Sequence, residues 1–114
     1  MVLDVREYID TAGRSPFTRW LRALNVQAAA KVATALERIA EGNLSNVKTV
    51  GGGVLEFKVD FGPGYRVYFG RDSDRLVILL AGGVKKRQRE DIRLAKANWE
   101  DYRSRKAQEE TRCH

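Results

Sequence analysis

Val54-Leu-Glu-Phe-Lys-Val-Asp60, Phe61-Gly-Pro-Gly64, Tyr65-Arg-Val-Tyr-Phe69 and Leu76-Val-Ile-Leu-Leu-Ala81 follow one another, ahead of Gly82-Gly83 and the basic run Lys85-Lys-Arg87. The stretch from Val54 to Gln88 reads as three antiparallel strands in a meander, with a cationic group at the end of the last. Alternation is the reason. Leu55, Phe57 and Val59 project to one face, and Glu56, Lys58 and Asp60 to the other. Val67 and Phe69 repeat the first set, Arg66 and Tyr68 the second. One sheet face is apolar and needs a cover. The opposite face is expected to be solvated. It brings Glu56, Lys58, Arg66 and Tyr68 together, because opposed and diagonal residues on paired strands are neighbours. A carboxylate, two cations and a phenol are groups that bind phosphate and move protons. Gly62-Pro63-Gly64 and Asp72-Ser73-Asp74 supply turn chemistry. Leu76 to Ala81 is apolar without alternation, as in a central, largely buried strand.

Upstream, Val2 to Tyr8 has the alternation of a short strand. Ser15-Pro16 is a helix start, and Phe17, Trp20, Leu21 and Leu24 then recur at helical spacing. Asn25 caps a second helix, from Val26 to about Glu41. Its buried stripe is Val32, Leu36, Ile39 and Ala40, and Gly42 is its stop. Two amphipathic helices so tightly joined form a hairpin that covers the apolar sheet face. Asn43 to Gly53 reads as a loop. Its three glycines lead into a strand rather than a helix, so it is not a phosphate-cradling loop. Downstream, Lys86 to Lys106 reads as a helix docked through Ile92, Ala95, Trp99 and Tyr102. The aromatic residues of the helices, at that spacing, are core rather than platforms for bases. The fold class is α+β: N-terminal strand, α-helical hairpin, three-stranded antiparallel meander, C-terminal helix. Residues 1–107 form one domain, and 108–114, without an apolar anchor, form a mobile tail.

The chain has 114 residues, 43% of them apolar, which suits a single cored domain. Twenty-one basic against fifteen acidic residues give a net charge of +6, which points to an anionic partner. The lone cysteine, Cys113, and lone histidine, His114, close the sequence, so no disulfide framework or Cys/His metal cluster is expected. The first residues lack the pattern of a signal peptide, and no apolar run approaches membrane-spanning length. The expected compartment is the cytoplasm.

Gly62-Pro-Gly-Tyr-Arg-Val-Tyr-Phe69, then Leu79-Leu-Ala-Gly-Gly-Val-Lys85, then Gln88 and Asp91-Ile92, resemble the RelE/ParE superfamily of bacterial type II toxins. More narrowly, the chain resembles the HigB-like branch, the addiction-module killer proteins. Arg6-Glu-Tyr, Ser15-Pro-Phe-Thr-Arg-Trp-Leu21 and Val50-Gly-Gly-Gly-Val-Leu-Glu-Phe-Lys58 fit that branch in order. The resemblance implies the toxin of a toxin–antitoxin pair. RelE-type toxins cut mRNA in the ribosomal A site, whereas ParE-type toxins block DNA gyrase and cut no RNA. It also implies a small helix-turn-helix antitoxin as partner, mRNA and ribosomal RNA as targets, and no cofactor. The RelE-type basic positions fall on Lys58, Arg66, Lys85 and Lys86, and the branch pattern adds Glu56, Tyr68, Gln88 and Asp91. RelE-type enzymes often carry a tyrosine where this chain has Asp91 or Ile92, and the usual acidic residue before the family lysine is Val84 here.

RNA cleavage without a metal needs a base for the 2′-hydroxyl, cations for the phosphate and an acid for the leaving oxygen. The candidate catalytic set is Glu56, Lys58, Arg66, Tyr68 and Lys85. Glu56 or Lys58 is the base, Arg66 the phosphate fork, Tyr68 a group that orients the backbone or stacks on a base, and Lys85 the acid or a phosphate contact. Lys86, Arg87, Gln88 and Arg89 are the expected RNA contacts. From spacing alone, Glu56 simply pairs with Lys58 or Arg66 across strands; with the resemblance, the same residues read as a site. Gyrase inhibition by binding is the alternative. A DNA-binding module ranks below both, since no helix-turn-helix pattern is visible.

Overall fold

The computed structural model describes residues 2–112, and for Arg112 the backbone alone. Cys113 and His114 lie outside the described residues, as do the readings that rest on them. Five strands form one sheet in the order β1 (Asp4–Glu7), β5 (Leu76–Val84), β4 (Tyr65–Arg71), β3 (Val54–Val59), β2 (Val47–Gly51). β1 runs parallel to β5, and the other pairs are antiparallel. The meander is present as read, with strands added on both sides. β2 corrects the reading of Asn43 to Gly53 as a loop. Val47-Lys-Thr-Val50 is rich in β-branched residues, and it turns into β3 through the glycines at 51–53.

The helical hairpin follows its caps. Ser15 Oγ accepts from the Thr18 amide at the start of α1 (Pro16–Arg22). Asn25 Oδ1 accepts from the Ala28 amide at the start of α2 (Val26–Ala40), and Gly42 sits beyond its end at φ 82°. Both helices bury their stripes on one sheet face. Phe17, Val32 and Ile39 pack there against Phe57, Val67, Phe69, Val77 and Leu79.

The other face is not solvated. A 3₁₀ turn (Lys85–Arg87) leads into α3 (Gln88–Arg112), which lies across that face. Trp99 and Ala95 pack there against Tyr8, Val54, Tyr68, Ile78 and Leu80. The molecule has three layers, and β5 is central as expected, with Val77 to Ala81 buried. The residues of α3 that face the sheet include Gln88, Asp91, Asn98 and Tyr102 as well as Ile92, Ala95 and Trp99. A polar sheet face is thus covered by a helix stripe that is itself half polar. The sheet carries a bulge at Tyr68/Phe69, where Leu80 is passed over between Leu79 and Ala81. Asn98 Nδ2 donates to the Leu80 carbonyl across 2.9 Å. Buried polar groups need such partners, and a bulge beside a site is a common way to aim side chains. No helix among the described residues is long and apolar enough to cross a membrane.

Candidate functional site

The strand register brings the meander's polar residues together as read. Glu56 lies opposite Tyr68, and Lys58 opposite Arg66, while Arg66 faces Gly83 on β5. Their exposure divides them. Glu56, Arg66 and Tyr68 are 2%, 5% and 0% exposed. Lys58 and Lys85 stand in solvent, as do Lys86, Arg87 and Arg89. The shared solvated face is therefore corrected to a buried group under α3 and an open cationic rim.

The buried group is held by its neighbours. Gln88, at the first turn of α3, donates to Glu56 Oε2 at 2.7 Å. Arg66 Nε lies 3.8 Å from Glu56 Oε1. Lys48, on the strand read as loop, approaches the same oxygen to 3.5 Å. The Lys48 contact followed from Lys48 pairing with Glu56 in the β2–β3 register, which no reading without β2 could provide. Tyr68 has a buried hydroxyl with no hydrogen-bond partner among the described residues. Burial first, and then the Glu56 carboxylate, push its pKa well above that of an ordinary phenol. It offers no face to a base while α3 is in place.

Two glycines decide how closely the helices approach. A Cβ on Gly82 would fall 2.1 Å from Trp20, and one on Gly83 would fall 1.8 Å from Asp91 Oδ2. Trp20 of α1 and Asp91 of α3 therefore rest on adjacent residues of β5, one on each side of the sheet. The Asp91 oxygen is buried and has no partner among the described residues. Burial raises its pKa, against the pull of Arg87. Asp91 was singled out through the family pattern alone. The sequence signal for its place is the Gly82-Gly83 pair.

At the end of the sheet a depression of about 400 Å³ is lined by Lys58, Asp60, Arg66, Lys85 and the turn from Phe61 to Gly64. Arg66 lies deepest. Its Nε and Nη1 are buried without hydrogen-bond partners among the described residues. A guanidinium left this way is costly, because burying a polar group without a partner costs about 1–3 kcal/mol and a charge costs more. Lys58 spends part of its charge on Asp60 at 3.6 Å, while Arg87 pairs with Glu90 at 2.9 Å. The depression is thus a cationic recess, lined by three cations against one carboxylate, and it suits a phosphate. A second depression, of about 450 Å³, lies at the far end of α3. Two of its three cations are engaged there: Lys106 Nζ binds Asp72, and Arg71 Nη2 donates to the Asp74 carbonyl, while Arg103 stands in solvent.

Residues 19–100 match the family model described as "Phage derived protein Gp49-like (DUF891)". An uncharacterised protein of Haemophilus influenzae is 43% identical over 81 residues, covering 70% of this chain and 82% of that protein.

Proposed function

The chain belongs to the family of phage-derived Gp49-like proteins, and from that premise we propose that it is the toxin of a bacterial type II toxin–antitoxin pair, cutting mRNA on the ribosome. Two supports stand behind the reading. The ordered motifs resemble RelE/ParE toxins of the HigB-like branch. The observation that carries the reading is Arg66: a guanidinium that lines a recess shared with Lys58 and Lys85 and is held from behind by Glu56. A planar fork of donors matches a phosphate.

Cleavage then runs as an internal transfer. The 2′-oxygen attacks phosphorus as its proton leaves to a base, the bond to the 5′-oxygen breaks, and an acid protonates that oxygen. Arg66 and the flanking lysines stabilise the charge that grows on the phosphate. Lys58 and Lys85 are the exposed cations at the recess, beside Asp60, and we assign proton transfer to them. Glu56 is a positioning residue that acts through Arg66, and Gln88 holds Glu56. Lys86 and Arg89, exposed on the helix start, extend the cationic track for RNA. The partner is a helix-turn-helix antitoxin, the compartment the cytoplasm, and no cofactor is called for.

One observation favours a second reading. Glu56 and Tyr68 are sealed under α3, which leaves the recess with cations but no exposed carboxylate base except Asp60, paired with Lys58. That suits a protein acting by binding alone, as a gyrase inhibitor does. Induction of the chain in a bacterial host, with mapping of transcript 5′ ends, separates the two. Growth arrest with new cuts inside translated frames, absent when translation is blocked, supports the nuclease. Arrest with intact mRNA and lost supercoiling moves the assignment to gyrase. Full toxicity of Arg66→Ala at normal abundance would sink the recess as the site in either case.

A further inference from the structure

The recess holds one residue that phosphate chemistry does not use. Phe61 is only partly buried, and it borders the same depression as Lys58, Arg66 and Lys85. Its ring lies under the Lys31 ammonium, 5.5 Å from the centroid. We propose that Phe61 is a stacking platform for one unpaired nucleobase, whose neighbouring phosphate lies over Arg66 and the flanking lysines. The inference rests on the reading of the recess as an RNA site.

Three features carry it. Phe61 is fixed where it stands. Its amide donates to the Val59 carbonyl at 3.1 Å, and its own carbonyl accepts from Gly64 at 2.9 Å. Between them Pro63 restricts the chain, and Gly62 and Gly64 take left-handed φ values of 53° and 82°. A platform held in advance loses little entropy when a base arrives. Secondly, the turn is tied to the cations. The Lys85 amide donates to the Gly64 carbonyl at 2.9 Å, so ring and phosphate-binding groups keep one spacing. Thirdly, the composition of the rim is that of a single-strand site. Lys58, Arg66 and Lys85 stand with one lining carboxylate, Asp60, beside a partly buried aromatic ring that packs against the core on the hairpin side. Single strands bind where a cationic groove tracks the backbone and aromatic rings take the bases. An acidic peptide would satisfy the cations and leave the ring unused.

The purified chain is tested with an adenosine hexaribonucleotide and with an abasic ribose-phosphate hexamer of equal charge, at low salt. Wild type is expected to prefer the base-bearing strand by on the order of 10-fold or more. Phe61→Leu, which keeps apolar packing, is expected to lose that preference and to bind the abasic chain unchanged. Phe61→Trp retains the preference and reports the contact directly, since the introduced indole is quenched by the adenosine strand and not by the abasic one. An indole left unquenched at saturating adenosine strand overturns the platform, even if the Leu variant fails to fold. Equal binding of both strands by wild type, or a preference that survives Phe61→Leu, overturns the platform and leaves the phosphate recess standing. Binding of neither strand overturns both. A polyglutamate peptide that binds as tightly as the adenosine strand, with no effect of Phe61→Leu, assigns the recess to an acidic protein and overturns the platform.

Discussion

Arg66 and Gly83 face each other across β4 and β5, and each is irreplaceable for a different reason. Arg66 is buried between Glu56 and the recess, and only a guanidinium can address both as a fork. Arg66→Lys keeps the charge and loses that geometry. We expect cleavage, assayed as ribosome-dependent cuts, to fall on the order of 10²-fold while the unfolding midpoint stays near wild type. Unchanged cutting by this variant would remove Arg66 from the chemistry. Gly83 has no room for a Cβ under Asp91. Gly83→Ala is expected to cost about 1–3 kcal/mol by overpacking. In an Asp91→Ala background the obstruction is gone, so the cost should shrink to a few tenths of a kcal/mol. Urea unfolding of the four variants measures the coupling, and simple additivity would show that Asp91 is not what Gly83 accommodates.

At the scale of elements, α3 is legible as a docked helix but not as the cover of the polar sheet face. Ile92, Ala95, Trp99 and Tyr102 announce that it docks, as it does, but the polar residues Gln88, Asp91 and Asn98 on its inward side give no sign of which sheet face it covers. Tyr102 and Lys106 both bind Asp72 at 2.5 Å, and the Tyr8 hydroxyl donates to Asp101 at 2.6 Å. The Lys106 and Tyr102 bonds hold the Asp72 carboxyl below the usual carboxylate range, and burial with Asp72 beside it pushes Tyr102 up to about 12. A carboxyl with a lowered pKa in the fold contributes stability above its unfolded pKa, about 3.9. That stability is lost as pH falls through the folded value. Asp101 is shifted the same way, by the Tyr8 bond first, and Asp91 the opposite way. Asp72→Asn should therefore be less stable than wild type at pH 7, with the gap closing below about pH 4. A gap independent of pH, by urea unfolding at pH 7, 5 and 3, would contradict this. Asn98→Ala should cost about 1–3 kcal/mol at any of these pH values, because the Leu80 carbonyl at the bulge loses its donor. What was legible follows from such signals. The hairpin announced itself through Ser15, Asn25 and Gly42, and the meander through strict alternation. β2 was hidden by its glycine-rich end, and the burial of Glu56, Arg66 and Tyr68 by the polarity of the helix that buries them. Strand parity could bring those three together but could not say which layer lay above them.

The whole molecule carries a net charge of +6, but the pairings divide its cations into engaged and free. Arg87, Arg105 and Lys106 pair with carboxylates at 2.5–2.9 Å, while the recess pairs are looser, Lys58 with Asp60 at 3.6 Å and Arg66 with Glu56 at 3.8 Å, and Lys85 has no ion pair among the described residues. Affinity for single-stranded RNA should therefore fall steeply with salt. Each phosphate neutralised adds about 0.7 to the slope of log affinity against log salt. Replacing Lys58, Arg66 and Lys85 together by alanine should lower that slope by about 2. The same experiment on Lys106→Ala should leave it nearly unchanged. Equal losses from the two would mean that diffuse charge, not the recess, does the binding.

The parallel pairing of β1 with β5 also governs when the sheet can close during synthesis. Asp4 joins Leu76, and β5 is the sheet strand that holds β1. A nascent chain grows by roughly 5–20 residues per second, so the first strand waits on the order of 4–15 s for its mate. Lys85 and Gln88 emerge later still, and until they do the recess has neither its far wall nor the amide that steadies Glu56. Long-range closure of this kind is intrinsically slow, and it cannot begin until most of the chain has been made. A product interrupted short of Leu76 lacks the strand on which β1 pairs, and so never closes its sheet.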